Sequence, residues 1–303
     1  MSRILIVGRN GQVGWELLRS CQVLGEVVGA GHAVLELSEP ESMREPLREL
    51  RPDVIVNAAA YTAVDRAERE EALATKVNGE AVKVLAEEAA RTGALLVHYS
   101  TDYVFDGEGD APSVESRAPA PINAYGRSKL AGERALQESA ATWICLRTSW
   151  VYAARGRNFL LTMLRLATER EHLRVVSDQV GAPTSARMVA DATSKIISQI
   201  QARRRTDAGF TPRIYHLTAR GATSWHGFAS VILERTRELG IVGDIRVRDI
   251  EPIGSSDYPT PAVRPRNSRL ECSAVERDFG LILPDWQASL ELVLNELCWA
   301  RGE

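Results

Sequence analysis

Arg3-Ile4-Leu5-Ile6-Val7 is a short, nearly continuous apolar run, and Gly8-Arg9-Asn10-Gly11-Gln12-Val13-Gly14 follows at once. Such a run is what a strand covered on both faces requires, the environment of a parallel sheet. The helical pattern Trp15, Leu17, Leu18, Cys21 comes next. Strand, glycines, helix is the context in which a glycine motif counts as a dinucleotide site. Glycines allow a tight turn and close approach of backbone to pyrophosphate, and the helix N-terminus turns its N–H groups and dipole toward the phosphates. The spacing is G-x-x-G-x-x-G rather than G-x-G-x-x-G. A plain strand-to-helix turn is the rival reading, but three glycines in seven residues carry an entropic cost that such a turn does not require.

The alternation continues. Val54-Ile55-Val56-Asn57 reads as a central strand, with Ala58-Ala59-Ala60 letting backbone approach a ligand at its carboxyl end. Val77, Val82, Leu85 and Ala89 put a helix over Ala72 to Arg91. Leu95 to Tyr99 is a strand that delivers Ser100 and Thr101 to its end. A Gly/Pro-rich loop runs from Asp106 to Pro121, a helix from about Tyr125 to Gln137, and a strand over Ile144 to Arg147. This βαβα rhythm predicts an α/β fold, a doubly wound, Rossmann-type parallel sheet with ligands at the carboxyl ends of its strands. The second half predicts helices over Phe159 to Arg170, Ala186 to Gln199, Trp225 to Leu239 and Trp286 to Trp299. The expected division is a dinucleotide-binding domain over 1–148 and, over 149–303, remaining sheet elements with a smaller, mostly helical substrate-binding lobe. No sharp linker separates them, so the two are expected to interleave.

Tyr125-Gly126-Arg127-Ser128-Lys129 carries the chemistry. A Tyr and a Lys four residues apart share a helix face. A phenol titrates near ~10, and a fixed cation nearby lowers that value. Such a tyrosine gives or takes a proton while carbonyl and alcohol interconvert. Thr101 adds a hydroxyl at a strand end, with an N-cap or turn role as its rival. Asp65 and Glu68, beside Arg66 and Arg69, read as a salt-bridged helix face.

Composition narrows the classes. A net charge of −3 argues for neither nucleic acid nor an anionic membrane as partner. The run Arg203-Arg204-Arg205, beside Thr206, Asp207 and Gly209, reads as a solvated loop. Cys21, Cys145, Cys272 and Cys298 form no CxxC pair and no ligand spacing. Reduced cysteines, no signal-peptide apolar region and no run of ~18 apolar residues point to the cytoplasm.

The chain resembles the extended short-chain dehydrogenase/reductases, and within them the branch that reduces dTDP-4-keto-6-deoxy sugars. The resemblance is carried by GRNGQVGWEL at Gly8–Leu17, RPDVIVNAAAYTAVDRAE at Arg51–Glu68, HYSTDYVFDG at His98–Gly107 and YGRSKLAGE at Tyr125–Glu133. RTSWVY at Arg147–Tyr152, DQVGAPT at Asp178–Thr184, YPTPAVRPRNSRL at Tyr258–Leu270 and LPDWQ at Leu283–Gln287 extend it over nearly the whole chain. It implies reduction of the C4 ketone of dTDP-6-deoxy-L-lyxo-4-hexulose to dTDP-L-rhamnose, a precursor of cell-surface polysaccharide. Tyr125 is then the proton donor, Lys129 binds the nicotinamide ribose and tunes Tyr125, and Thr101 polarises the carbonyl. Gly8 to Gly14, Ala58 to Ala60, Tyr125 and Lys129 hold the cofactor. Thr101, Asp102, Tyr103 and Trp150 line the sugar pocket, and Arg264 and Asn267 reach the nucleotide diphosphate end. Trp150 has a core role as its rival, and Arg264 a surface ion pair. Another nucleotide-sugar 4-reductase or epimerase, or a non-catalytic NAD(P)-binding regulatory subunit, remains the alternative.

Two further expectations concern cofactor and metal. The second strand, Glu26 to Gly29, ends in Ala30-Gly31-His32 without the carboxylate that favours NAD. Arg9 is placed to pair with a 2′-phosphate, with His32 helping below neutral pH. NADPH is therefore expected, with NADH also accepted. Some relatives bind Mg²⁺ through carboxylates at a dimer interface. Glu16 matches one of them, but Arg187 stands where another is expected, which implies no metal and a monomer or weak homodimer.

Overall fold

The structure, a computed structural model, describes residues 2–206 and 210–299. A six-stranded parallel sheet lies at its centre. Its strands are β1 (Ser2–Val7), β2 (Gly25–Ala30), β3 (Val54–Asn57), β4 (Leu95–Thr101), β5 (Thr142–Thr148) and a sixth, Arg213–His216. The sixth strand lies outside β5, and the order then runs β5, β4, β3, β1, β2. The chain moves from β1 to β2 on one side and returns to β3 on the other, so the order reverses beside β1. A crevice opens at that point, at the carboxyl ends of the strands.

The apolar runs divide with period two. Ile4, Ile6, Val54, Val56, Leu95 and Val97 face one core, shared with helices of the second half. Leu5, Val7, Ile55 and Leu96 face the other, covered by the helix Ala81–Thr92. Both faces are covered, which explains apolar strands without alternation. The second half is tied to the first: it supplies the sixth strand, and Ser194 of the helix Ala186–Arg205 donates to the Ser20 carbonyl at 2.7 Å. Three of its other helices, Phe159–Glu169, Trp225–Leu239 and Trp286–Trp299, meet at Phe228, whose ring lies 5.6 Å from Phe159 and 5.7 Å from Trp286. Among the described residues no helix is long and apolar enough to cross a membrane.

Two expectations need correction. Arg203 to Arg205 are not loop but the last turn of the helix Ala186–Arg205. Arg203 lies over the Phe279 ring at 5.2 Å and donates to the Asp278 carbonyl, and Arg204 donates to the Gly93 carbonyl. Cations at a helix C-terminus also oppose its dipole favourably. Asp207 and Gly209 lie outside the described residues. The helix expected over 72–91 is interrupted by a π turn at Lys76–Glu80. Asn78 in that turn clasps Tyr61, accepting from its N–H at 2.8 Å and donating to its carbonyl at 3.0 Å.

Candidate active site

At the first strand end, Gly8 adopts φ +84°, and a Cβ there would lie 2.7 Å from Ala59 N. A Cβ on Gly14 would lie 2.1 Å from the Gly8 carbonyl oxygen. Both positions demand glycine, because backbone passes against backbone. The first helix, α1 (Gln12–Ser20), follows N-cap Gly11 with no side-chain cap and no acid in its first turn. Its leading N–H groups and dipole are thus left facing the crevice. Ala58 to Ala60 flank the turn, with Ala58 N donating to Val7 O at 3.0 Å. Arg9 lies along the end of β2: a Cβ on Gly29 would sit 3.0 Å from its Cδ. Asn10 reaches Gly31 beside it. Gln12 accepts from Asn158 at 2.7 Å, which ties the turn to the second half, and Val13 packs into the core. His32 is an exposed residue 3.2 Å from Glu36.

Thr101 and Tyr125 meet at the end of β4. Asn123 caps the helix Ala124–Gln137, accepting from Gly126 N at 2.8 Å. A Cβ on Gly126 would lie 2.1 Å from the Tyr103 carbonyl, so glycine here lets the helix press against the end of β4. The Thr101 hydroxyl lies beside the Tyr125 phenol and favours its ionised form. Thr101 donates to Asp102 Oδ1 at 3.0 Å and accepts from Tyr103 N at 3.2 Å. The capping role expected as its rival is present, and the same hydroxyl lies beside Tyr125. Tyr103 meets Tyr125 edge to face, centroids 5.5 Å apart. Asp102 is buried, and its Oδ2 has no hydrogen-bond partner among the described residues. Burial pushes its carboxyl up to about 6.

Lys129 differs from expectation. Its Nζ donates to the Tyr99 carbonyl at 2.6 Å and lies 3.4 Å from His98 Nε2. Burial lowers its ammonium to about 8. The Tyr125 phenol is pushed up, not down, first by burial and then by Asp102. In this state burial and the neighbouring carboxylate outweigh any help from the lysine, and Tyr125 is a retained acid. Glu133, one turn beyond Lys129, accepts from Ser100 at 2.5 Å and from Arg147 at 2.8 and 2.6 Å. This fully buried pair fixes the helix to β4 and β5.

The outer residues divide. Trp150 has φ +50°, an uncommon backbone for a large side chain. Its indole stacks on Trp225 at 3.6 Å and covers Gly181, whose Cβ would meet it at 2.5 Å. Arg264 grips Asp65 through two bonds of 2.9 and 2.8 Å, the ion-pair rival of the phosphate contact. That corrects the Asp65–Glu68 face: Asp65 belongs to Arg264, and Glu68 accepts from Ala124 N at 2.7 Å. Asn267 spends its amide on loop backbone, donating to Gly109 and Ala111 carbonyls at 2.8 Å and accepting from Arg269. The structure thus gathers Thr101, Asp102, Tyr103 and Tyr125 at one point and gives Asn267 a loop-pinning role.

The RmlD substrate binding domain model matches residues 1–298. The dTDP-4-dehydrorhamnose reductase of Burkholderia thailandensis is 50% identical over 295 residues, covering 97% of this chain and 99% of the relative. That of Escherichia coli K12 is 47% identical over 298 residues, 97% of each chain. The chain belongs to the dTDP-4-dehydrorhamnose reductase family. The crystal structure of the Bacillus anthracis reductase in complex with NADP superposes with a TM-score of 0.86 at 32% identity, covering 97% of this chain and 99% of that one. The Thermus thermophilus UDP-glucose 4-epimerase shares the fold, with a TM-score of 0.78 at 19% identity.

Arg187, at the position where the resemblance implied a carboxylate, forms an intramolecular bridge. Arg187 reaches Glu296 at 2.5 Å and Glu16 at 3.4 Å. Glu296 is a member of the group that the sequence did not reveal, since 280 residues separate it from Glu16. His98 and Trp225 were missed too, and Asn57 was placed at the strand end without its contact to His98. Trp225 begins a helix after Ser224 and reads as an ordinary core aromatic, and His98 sits inside an apolar strand pattern.

Proposed function

We propose that this protein is an NADPH-dependent oxidoreductase that reduces the C4 ketone of dTDP-6-deoxy-L-lyxo-4-hexulose to give dTDP-L-rhamnose. The observation that carries it is Tyr125, held protonated beside the buried Thr101 at the end of β4, together with a glycine cradle at the end of β1 that has no room for a Cβ. The cradle fits a dinucleotide: close backbone at Gly8 and Gly14, and an uncapped helix start without a carboxylate. When bound, the cofactor supplies the hydride.

The chain's own residues do the rest. Gly8 to Gly14 and Ala58 to Ala60 surround the dinucleotide, Arg9 pairs with its 2′-phosphate, and Lys129 holds the nicotinamide ribose. Thr101 turns its one hydroxyl hydrogen from Asp102 to the ketone oxygen and polarises it. Tyr125 passes its phenolic proton to that oxygen as negative charge develops there, which its raised pKa suits. Until substrate binds, Asp102 holds the Thr101 hydroxyl through the 3.0 Å bond. Tyr103 and the Trp150–Trp225 stack offer faces to the sugar. Arg264 would take a diphosphate oxygen by exchanging its Asp65 partner. The alternatives on the same scaffold separate by one experiment. The protein is incubated with NADPH and dTDP-glucose together with the dehydratase and epimerase that precede it. One NADPH consumed per dTDP-rhamnose formed is expected. A tightly held, recycled NAD, or no consumption, overturns the reading.

A further inference from the structure

Beneath Lys129 lies a buried polar chain that the reaction above does not use. His98, on β4, is fully buried. Its Nδ1 lies 3.2 Å from Asn57 Nδ2 on neighbouring β3, and its Nε2 lies 3.4 Å from Lys129 Nζ. The other end of the Asn57 amide lies 3.2 Å from Ala59 N. A backbone N–H only donates, so the Asn57 atom facing it is the oxygen. The amide's NH₂ therefore faces His98, and His98 Nδ1 accepts. A neutral imidazole that accepts at Nδ1 carries its hydrogen on Nε2. That N–H points at Lys129.

An ammonium there would set donor against donor. A neutral amine fits: it gives one hydrogen to the Tyr99 carbonyl at 2.6 Å and offers its lone pair to His98 Nε2–H. We propose that His98, with its tautomer fixed by Asn57, is a positioning residue that favours the uncharged form of Lys129 and turns it to Tyr99 before the dinucleotide binds, so that cofactor binding draws a proton onto Lys129. The other groups facing this lysine are Cys145 and Glu133, whose charges favour the ammonium, and Glu133 is already neutralised by Arg147. Burial acts in the same direction as His98, lowering both the lysine and the imidazole itself. The proposal rests on the reading that Lys129 meets the cofactor, where ribose hydroxyls accept from a charged amine.

The test is calorimetric titration of the full-length enzyme with NADPH at pH 8, in buffers of different ionisation enthalpy. The 2′-phosphate, whose second pKa is ~6, does not titrate there. Uptake of about half a proton is expected, because Lys129 sits near half-ionisation. Asn57→Asp supplies a carboxylate that accepts from both Ala59 N and His98 Nδ1–H, which reverses the tautomer and recharges Lys129. Its uptake should fall toward zero. His98→Gln keeps acceptor and donor ends in place and should retain the wild-type value. Independently of any variant, long-range proton–nitrogen NMR of the cofactor-free enzyme should show His98 protonated at Nε2. No uptake in wild type, unchanged uptake in Asn57→Asp, or an Nδ1-protonated His98 each overturns the proposal. Lys129→Met separates the two readings: unaltered NADPH affinity in that variant overturns the cofactor role of Lys129 instead.

Discussion

Two buried carboxylates stand on the same helix–strand unit and are treated in opposite ways. Glu133 is saturated, with Ser100 on one oxygen and Arg147 on both. Asp102 accepts one 3.0 Å bond from Thr101, its other oxygen has no partner among the described residues, and burial outweighs Ser268 and Thr101 to push its carboxyl up to about 6. Beneath the cleft, ionic groups close on each other and fix geometry. At the cleft, a group is left short of partners and its proton becomes movable. The same contrast separates Arg264, closed on Asp65, from Tyr125, whose phenol lies beside the Thr101 hydroxyl and is pushed up by burial and Asp102. Unsatisfied buried polarity costs stability, and Asp102 Oδ2 carries such a cost beside Thr101 at the end of β4.

The comparison is open to direct attack, beginning at the unsaturated pole. Tyr125→Phe should lower kcat by about 10²–10⁴-fold with NADPH affinity little changed. Near-normal kcat in steady-state assays would place the proton donor elsewhere.

The saturated pole should respond in stability. Glu133→Ala strands the Arg147 charge in the core and should cost about 3–5 kcal/mol by chemical denaturation. Combining Glu133→Leu with Arg147→Met should recover most of that loss. A single variant as stable as wild type would show that the pair is not structural.

Asp102 should show its raised value as a pH dependence. Between about 4 and 6 the folded state binds more protons at this group than the unfolded chain does, so stability falls as pH rises through that window. Asp102→Asn removes this term. Relative to wild type it should gain on the order of 2–3 kcal/mol from pH 4 to pH 7. Parallel stability–pH curves for the two proteins would show that Asp102 is not strained in this way.

Arg9→Ala should shift the NADPH-to-NADH ratio of kcat/KM toward NADH by about tenfold, the worth of one charge-assisted hydrogen bond. An unchanged ratio, or a wild-type preference for NADH, would remove Arg9 from the 2′-phosphate.

The smallest expected effect is none. Arg187 occupies the space between Glu16 and Glu296 and supplies the charge a divalent cation would bring. A chelator should change neither turnover nor the sedimentation coefficient. Loss of activity, or conversion of a dimer to monomer, would show that a metal binds despite the arginine.

Local pattern was enough to determine much of this protein. Apolar runs without alternation specify strands buried on both faces, and three glycines after the first of them specify a close turn. Those signals are short-range, so β1 to β5 and the Trp225–Leu239 and Trp286–Trp299 helices were legible from the chain, as was the register of Tyr125 and Lys129 on one helix. What only the tertiary structure decided is which group each side chain faces. Lys129 could be placed on the right face, but not turned to Tyr99 and His98, because those residues come from a strand 30 residues earlier. Arg264 meets Asp65 across 199 positions, and Trp150 meets Trp225 from another helix. Periodicity encodes which side of an element is buried. The partner found there, and hence the charge a buried lysine or carboxylate carries, depends on desolvation and contacts that exist only once the elements have packed.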